Sequence, residues 1–274
     1  MDLTMFHEQG YQVVHHVLPH SVISNLRAFV QAEEEPAIAQ AMLEIPSRNW
    51  EELTKKAVEL ADCPNESARI SFETKRIVSG FIRLQARLSE VFFEVPRNDA
   101  MRRILQLLFP GERLRLQMPP SARFVRPNNR LGFIGAHQDC AYNDHLRSFV
   151  VVWIPLVPID ETCGGVAVYP GTGRLPQVLQ DGSVKRWIYK QSLKVDDIKP
   201  VALHMVPGDI LLLNEFIVHE SVPNISDHTR YSVSMRFFGN DFESTKHYLD
   251  LETWQVIVPA SYNDQTALLA ESTY

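Results

Sequence analysis

Cysteine is scarce in this chain. Its three cysteines, Cys63, Cys140 and Cys163, are widely spaced, and no Cys-x-x-Cys pair occurs. The sequence therefore predicts neither a disulfide framework nor a thiolate zinc site, and a reducing compartment is favoured. The first ten residues also lack the basic start and the apolar run of a signal peptide. We expect a cytoplasmic protein.

Long apolar runs and an excess of basic residues are missing as well. The densest apolar stretch, residues 149–157, has the length of a strand and is too short to cross a bilayer. Lysine and arginine number 27 against 33 aspartates and glutamates, a formal charge of 27 − 33 = −6. This balance gives no sign of a surface for nucleic acid or anionic membranes. We expect neither as a partner.

Helical patterns occupy the first part of the chain. Apolar residues recur at helical spacing over residues 22–30. Two further helices are predicted, one over residues 81–94, ended by Pro96, and one over residues 98–109. These segments indicate an N-terminal layer of helices.

From Leu114 onward the pattern changes. Short β-branched and aromatic runs alternate with Pro, Gly, Asn and Asp, which is typical of strands joined by turns. The predicted strands are residues 148–156, 165–169, 201–205, 210–214 and 231–238.

No repeat, low-complexity tract or linker divides the chain, so we predict a single domain over residues 1–274. A helical layer, mostly residues 1–113, packs on an antiparallel β core of about residues 114–240, followed by a C-terminal extension, residues 241–274. The predicted fold class is mainly β with flanking helices, with a double-stranded β-helix core of the jelly-roll or cupin type.

The triplet His137-Gln138-Asp139 is the first candidate for chemistry. In a strand, residues i and i+2 point to the same face, so both side chains could reach one ion. A neutral imidazole and a carboxylate suit iron(II), and a third ligand from elsewhere would complete a facial triad with open positions. In a chain with ten histidines, a single His-x-Asp also occurs by chance, as a hydrogen-bonded strand pair.

A second segment strengthens the metal hypothesis. His219 follows the apolar strand 210–214, and Arg230 lies 230 − 219 = 11 residues beyond it, far enough for a turn and a returning strand. An arginine grips a planar carboxylate through paired N–H donors. Ser232 shares the strand face of Arg230 and can donate to the same carboxylate. Arg236 is a rival anchor on that face.

The order and spacing of these motifs resemble the phytanoyl-CoA dioxygenase family of iron(II)/2-oxoglutarate oxygenases. The shared elements are Phe-x-x-x-Gly-Tyr at residues 6–11, His137-x-Asp139, the Trp-containing strand 151–156, the Gly-Gly…Pro-Gly-Thr-Gly segment 164–173, and His219-x-Ser221…Asn224…Arg230-x-Ser232. Residues 31–113 and 241–274 contribute nothing to the resemblance. The family usually has a histidine after Pro-Gly-Ser/Thr, where this chain has Gly173-Arg174.

The resemblance implies a double-stranded β-helix and a set of roles. His137, Asp139 and His219 would bind iron(II), and Arg230 and Ser232 would anchor the distal carboxylate of 2-oxoglutarate. With O2, such a site hydroxylates or otherwise oxidises an unactivated C–H bond of a small organic molecule, while 2-oxoglutarate is decarboxylated to succinate.

Other residues are weaker candidates. Tyr142, Trp153 and Arg174 are expected near the substrate. The alternatives are a turn at Asn143-Asp144 beside Tyr142, core packing for Trp153 and a solvated loop for Arg174. Cys140 should point away from the ligands, and His204 is the histidine most easily mistaken for a ligand. Residues 180–200 form either a lid or an exposed loop.

Two other functions stay open. One is a metal-binding jelly roll without turnover, and Arg230 with Ser232 argues against it because a metal store needs no carboxylate clamp. The other is a lyase, isomerase or zinc enzyme on a cupin-like barrel, whose sites generally carry more histidines near the first pair than this chain does.

Overall fold

The structure is a computed structural model. It describes residues 2–141, 143, 146, 148–175, 195, 197–239 and 244–259. Its helices are α1 (Thr4–Gln9), α2 (His20–Ala32), α3 (Glu34–Glu44), α4 (Trp50–Ala61), α5 (Pro64–Ser67), α6 (Phe72–Val78), α7 (Leu84–Arg87), α8 (Glu94–Arg97) and α9 (Asp99–Leu108).

The helical layer follows the apolar spacing of the sequence. Helix α2 buries Ile23, Leu26 and Val30 on one face, which confirms the helix predicted over residues 22–30. Helix α9 begins where the Asn98 side chain accepts hydrogen bonds from the next turn, and it ends before Pro110, as predicted. Among the described residues, no helix is long and apolar enough to span a membrane.

The prediction of one helix over residues 81–94 is wrong. The chain forms the short helix α7, then a 3-10 turn at Glu90–Phe93, then α8. The Ser89 hydroxyl accepts a hydrogen bond from Val91 N–H and starts a new turn there. Pro96 lies inside α8, in a first turn whose N–H groups need no helical partner.

Two antiparallel sheets form the β region. The strands are β1 (Tyr11–Val14), β2 (Arg115–Gln117), β3 (Ser121–Val125), β4 (Phe149–Pro155), β5 (Val166–Val168), β6 (Val201–Ala202), β7 (Ile210–Asn214), β8 (His219–Ser221), β9 (Arg230–Phe238), β10 (Tyr248–Asp250) and β11 (Val256–Ile257). The large sheet has the order β1-β7-β4-β9-β2-β10-β11, with β3 paired to β9, and the small sheet has the order β6-β5-β8. Four of the five predicted strands are confirmed as β4, β5, β7 and β9. The strand predicted over residues 201–205 is shorter, because only β6 (Val201–Ala202) forms there.

The two faces of strand β9 carry different kinds of side chain. Odd-numbered residues such as Val233 and Met235 are fully buried, and the neighbouring Phe124 of β3 stacks on Trp50 of the helical layer with ring centroids 5.8 Å apart. Even-numbered residues, Arg230, Ser232, Ser234 and Arg236, lie on the opposite face. That polar face turns away from the helical core and towards the small sheet.

The N-terminal motif packs on the Pro-Gly-Thr-Gly segment through two glycines. Gly10 ends α1 with φ +85°, and a Cβ added to it would lie 2.9 Å from the Cα of Gly173. Backbones approach this closely only where neither residue has a side chain. Two motifs distant in sequence therefore meet at one contact. That the chain forms one domain with a C-terminal extension stays a prediction.

Candidate metal centre

The two candidate histidines lie side by side on a β-bridge. His137 N–H donates to His219 O at 2.9 Å, and His219 N–H donates back to His137 O at 3.0 Å. Their ring centroids are 4.2 Å apart. Candidate ligand atoms of His137, Asp139 and His219 all lie within 4.8 Å of one another, and all three residues are buried. The structure thus brings together the three residues that the sequence predicts as metal ligands.

The local geometry differs from the strand that we predicted for His137-Gln138-Asp139. Only His137 takes part in a bridge, and Asp139 opens a 3-10 turn, Asp139–Ala141. Cys140 N–H donates to Glu215 O at 3.0 Å, and the Asn143 side chain donates to Asp139 O at 2.8 Å. These contacts, rather than alternation along a strand, turn the carboxylate towards the histidines. Cys140 is buried in this turn.

Backbone carbonyls fix the orientation of both imidazoles. His137 Nδ1 lies 2.8 Å from Gly135 O, and His219 Nδ1 lies 3.1 Å from Ile217 O. Because a carbonyl oxygen only accepts, Nδ1 must carry the proton in each hydrogen bond. This tautomer directs the lone pair of Nε2 to a metal, as in most histidine ligands.

The charges in the cluster suit a divalent metal. Arg236 Nη2 lies 3.0 Å from Asp139 Oδ1. Burial raises the pKa of Asp139, but Arg236 and the two imidazoles outweigh it and lower this pKa to about 2. Burial, followed by the charge of His219, lowers the pKa of His137 to about 3. At neutral pH, Asp139 is therefore ionised and His137 is neutral, the states that metal binding requires.

A cavity between the two sheets, the inner cavity, opens onto this cluster. Its volume is about 100 Å³, several times the space that one water needs. Trp153, Ser232 and Arg236 from the large sheet line it, together with His219 and Ser221 from the small sheet. Trp153 thus faces a cavity, and its contact with a substrate stays a prediction.

The two anchor candidates on β9 have different surroundings. Ser232 lines the inner cavity, whereas Arg230 lies beyond it on the same strand face and is not part of the cavity wall. The Arg230 side chain is buried, Nη1 donates to Val222 O at 2.8 Å, and Nε has no hydrogen-bond partner. Burial lowers the pKa of Arg230 to about 10. The rival, Arg236, is engaged with Asp139.

Sequence reasoning missed Arg123, which lies opposite Ser232 in the β3–β9 pairing and lines the inner cavity. Its Nη2 donates to Ser79 O and Gly132 O at 2.8 and 2.7 Å. Burial and the charge of Arg230 lower the pKa of Arg123 to about 9. A signal was present, because Ser121 and Arg123 alternate with apolar residues in a predicted β region.

A larger outer cavity adjoins the inner one and reaches the helical layer. Its volume is about 190 Å³, more than ten times the space one water needs. Lys75 and Arg76 of α6, Phe81 and Phe133 line it, as do His137, Asp139 and Arg236, which also line the inner cavity. The metal cluster therefore lies where the two cavities meet.

The remaining candidates lie elsewhere. Arg174 is exposed and in the wall of neither cavity, which does not support a place in the substrate pocket. The reason is that the buried Thr172 hydroxyl donates to Tyr169 O and accepts from Val218 N–H, so this turn points Arg174 outwards. His204 is exposed, 3.9 Å from Glu161. Tyr142 and most of the predicted lid, residues 180–200, lie outside the described residues.

Solved structures share the fold at low sequence identity. The alpha ketoglutarate dependent carbocyclase SnoK from nogalamycin biosynthesis matches 97% of this chain and 88% of its own, with a TM-score of 0.58 and 14% identity. A non-heme monooxygenase, the ThoJ–Ni complex, matches 99% of this chain and 95% of its own, with a TM-score of 0.56 and 17% identity. These enzymes have double-stranded β-helix cores, so the predicted fold class is confirmed.

Curated relatives match a shorter part. The 1-deoxypentalenic acid 11-beta-hydroxylase of Streptomyces exfoliatus is 33% identical over 98 residues, which is 33% of this chain and 34% of the relative. The enzyme of the same name from Streptomyces arenae is 35% identical over 98 residues, with the same coverage. The chain thus spans about a third of the length of these relatives in the alignment.

The family itself follows from a match over most of the chain. A model of the phytanoyl-CoA dioxygenase (PhyH) family matches residues 6–232, from the N-terminal Phe-x-x-x-Gly-Tyr motif to Ser232 beside the buried arginine. This span contains the metal cluster and every residue of the inner cavity except Ser234 and Arg236. The resemblance suggested by the motifs is confirmed, and the chain belongs to the phytanoyl-CoA dioxygenase (PhyH) family.

Proposed function

We propose that this protein is an iron(II)/2-oxoglutarate-dependent oxygenase that hydroxylates, or otherwise oxidises, an unactivated C–H bond of a small organic molecule. One observation carries the proposal. Two histidines and an aspartate, all buried, meet within 4.8 Å at the junction of two cavities. This donor set leaves coordination positions open, as in non-haem iron(II) oxygenases.

The residues present fit an iron(II) ion. His137 and His219 would supply nitrogen ligands, and Asp139 would supply an oxygen ligand. Arg236 holds the Asp139 carboxylate through its bond to Oδ1, so the carboxylate is fixed before a metal arrives. Bound iron would supply the activation of O2, which is coupled to oxidation of 2-oxoglutarate to succinate and carbon dioxide.

The inner cavity fits a dicarboxylate co-substrate. Arg230 is buried and Arg123 is half-buried, and they lie close enough for the charge of Arg230 to lower the pKa of Arg123. Two guanidinium groups placed in this way repel each other unless an anion lies between them. We assign Arg230 and Ser232 as the anchor of the distal carboxylate of 2-oxoglutarate, with Arg123 adding positive potential from β3.

The apolar part of the inner wall would exclude water. Val151, Trp153 and Leu213 line this cavity on the large sheet, and Val166 lines it on the small sheet. Such walls strengthen the electrostatic contacts of a bound anion because the local dielectric is low. A substrate would then approach from the outer cavity, the other opening onto the cluster.

Two further features of the proposal come from sequence. We infer a cytoplasmic location and a small-molecule substrate, without nucleic acid or membrane as partners. The few cysteines and the acidic charge balance support them. The name of the Streptomyces relatives, a hydroxylase of 1-deoxypentalenic acid, is compatible with a small organic substrate for this chain.

One assay tests the oxygenase against the two alternatives. Protein purified without oxygen is mixed with iron(II) and 2-oxoglutarate, the absorption band of the ferrous chelate is recorded, air is admitted, and succinate is measured. We expect the band and slow succinate formation. The variant His204→Gln, which removes an exposed histidine outside the cluster, should behave as wild type. Absence of both signals, with candidate substrates present, rejects the oxygenase.

A further inference from the structure

The side chain of Phe81 lies where the two cavities adjoin. Among the described residues, those that line both cavities are Phe81, Ser121, Ile134, His137, Asp139 and Arg236. Phe81 is the largest apolar side chain of this set. It can neither bind a metal nor transfer a proton, so any role in the site must come from its aromatic ring.

The backbone of Phe81 is fixed against β3. Phe81 forms an antiparallel β-bridge with Arg123, and Phe124 N–H donates to Gly80 O at 2.7 Å. A Cβ added to Gly80 would lie 2.5 Å from Phe124 O, so only glycine permits this approach. Opposed residues of an antiparallel pair carry their side chains on the same face. The ring of Phe81 and the side chain of Arg123 are therefore neighbours.

The ring contacts the guanidinium group of Arg123. The guanidinium carbon of Arg123 lies 4.8 Å from the centroid of the Phe81 ring, and that of Arg76 lies 4.0 Å from it. Both distances are in the range of cation–π contacts. Arg123 Nη2 also donates to Ser79 O and Gly132 O at 2.8 and 2.7 Å. The ring and the two carbonyls thus hold the guanidinium in one orientation.

Arg123 keeps the capacity to bind an anion. Its Nε is buried and has no hydrogen-bond partner. Burial and the charges of Arg230 and Arg76 lower the pKa of Arg123 to about 9, and no carboxylate of the described residues acts in the opposite direction. A charge held away from bulk water without a counter-ion is unfavourable. A bound anion would remove this penalty.

Arg123 also lies beside the residues assigned as the carboxylate anchor. Arg123 and Ser232 oppose each other in the β3–β9 pairing, and both line the inner cavity. Opposed residues of this kind have their Cβ atoms about 5 Å apart. Arg230 lies two residues from Ser232 on the same strand face. A carboxylate bound by Ser232 and Arg230 is therefore within reach of Arg123.

From this arrangement we propose that Phe81 is a positioning residue for the co-substrate. Its ring holds the guanidinium of Arg123 beside Ser232, so that Arg123 contacts the distal carboxylate of 2-oxoglutarate directly. Without the ring, the Arg123 side chain gains rotational freedom, and ordering it again on binding lowers the affinity. The inference rests on the proposed function, because it takes 2-oxoglutarate as the occupant of the inner cavity.

A purely apolar role of Phe81 predicts a different result. Phe133 is half-buried like Phe81 and lines the outer cavity, but it does not line the inner cavity. Replacing either phenylalanine with leucine removes a similar apolar surface from the wall of the outer cavity. Only the change at Phe81 also removes the ring beside Arg123. The two variants therefore separate positioning of Arg123 from packing.

Anaerobic calorimetric titration of the iron-loaded, full-length protein with 2-oxoglutarate tests the proposal. Phe81→Leu should raise the dissociation constant about fivefold, the order of one cation–π contact. Phe81→Tyr, which keeps the ring, and the matched control Phe133→Leu should both stay within twofold of wild type. In an Arg123→Met background, Phe81→Leu should have no further effect, because the contact is already lost.

Three results would each overturn the proposal: a dissociation constant for Phe81→Leu within twofold of wild type, an equal rise for Phe133→Leu, or an undiminished effect of Phe81→Leu in the Arg123→Met background. If Arg123→Met fails to fold, Phe81→Tyr decides, since a loss equal to that of Phe81→Leu would show that the ring is not what matters.

A second titration separates this proposal from the proposed function. Glutarate, which has both carboxylates of 2-oxoglutarate but no keto group, is titrated into the metal-free protein. If no ferrous chelate and no succinate form, but Phe81→Leu weakens glutarate binding, the oxygenase is rejected and the role of Phe81 in binding a dicarboxylate stands. If the chelate and succinate form, but Phe81→Leu leaves the affinity for 2-oxoglutarate unchanged, only the role of Phe81 is rejected.

Discussion

Replacing Arg230 with methionine tests whether this arginine anchors the co-substrate or only stabilises the fold. In the structure, Nη1 donates to Val222 O, and Nε is buried without a hydrogen-bond partner. Donors beyond the Val222 bond are therefore available to a carboxylate. If two charge-assisted bonds of about 1.5 kcal/mol each are lost, the dissociation constant of 2-oxoglutarate rises by roughly 150-fold.

The same variant should have little effect on folding. Methionine removes a buried charge, and with it the repulsion that lowers the pKa of Arg123, while the carbonyl of Val222 loses a donor. These effects oppose each other, so we expect the free energy of unfolding without co-substrate to change by less than about 2 kcal/mol. A purely structural arginine would give the reverse result, a large loss of stability with unchanged affinity.

The assay is an anaerobic titration of the iron-loaded protein with 2-oxoglutarate, followed through the chelate absorption. Arg174→Met is the matched control, because Arg174 is exposed and lines neither cavity. Arg230→Lys should be intermediate, since lysine keeps the charge but loses the planar fork. A dissociation constant within twofold of wild type for Arg230→Met, with a large increase for Arg123→Met, would move the anchor to Arg123.

Three further predictions concern the cluster and its frame. Asp139→Ala should abolish iron binding and succinate formation and destabilise the fold by about 3 kcal/mol, since Arg236 is left unpaired. Adding Arg236→Met should restore the stability measured by denaturation but not iron binding. Iron bound by Asp139→Ala would refute the ligand assignment. His137 has a folded pKa of about 3 against about 6.5 unfolded, so protons favour unfolding. With chelator present, the free energy of unfolding of wild type should fall by roughly 2 kcal/mol more than that of His137→Gln between pH 7 and pH 5. The same pH dependence of unfolding in both proteins would contradict this. Gly10→Ala should lower the free energy of unfolding by about 1–3 kcal/mol more than Gly111→Ala does, because both glycines have positive φ but only Gly10 is crowded. Equal losses of stability in urea denaturation would reject the close backbone contact.

The metal cluster could be predicted from sequence because its chemistry is carried by spaced motifs. His219 follows β7 and returns on β8, and the bridge between His137 and His219 then brings the two motifs together. The reason given for Asp139, strand alternation, was wrong. A 3-10 turn, fixed by the contact between Cys140 and Glu215, orients this carboxylate. Such a contact spans the sheet and leaves no trace in local periodicity.

The outer cavity could not be predicted, because its basic side chains come mostly from segments without motifs. Lys75 and Arg76 lie on α6, within residues 31–113, which contributed nothing to the family resemblance. Which face of a short helix meets the sheet depends on tertiary packing, here the pairing of residues 80–82 with β3. Helix periodicity alone also failed where Ser89 interrupts residues 81–94, since a side-chain hydrogen bond there competes with the helix.

The charges around the cluster imply that metal and co-substrate bind cooperatively. The inner wall holds Arg123 and Arg236 against Asp139 and Glu220, with Arg230 adjacent, and the outer wall adds further cations. Arg123, Arg230 and Arg236 against Asp139 and Glu220 give a charge of 3 − 2 = +1. A divalent metal ion placed here would increase this excess, and the interaction is strong because the groups are buried or half-buried. A dianion such as 2-oxoglutarate cancels the charge that the metal adds, so metal and co-substrate should each tighten the binding of the other by the same factor.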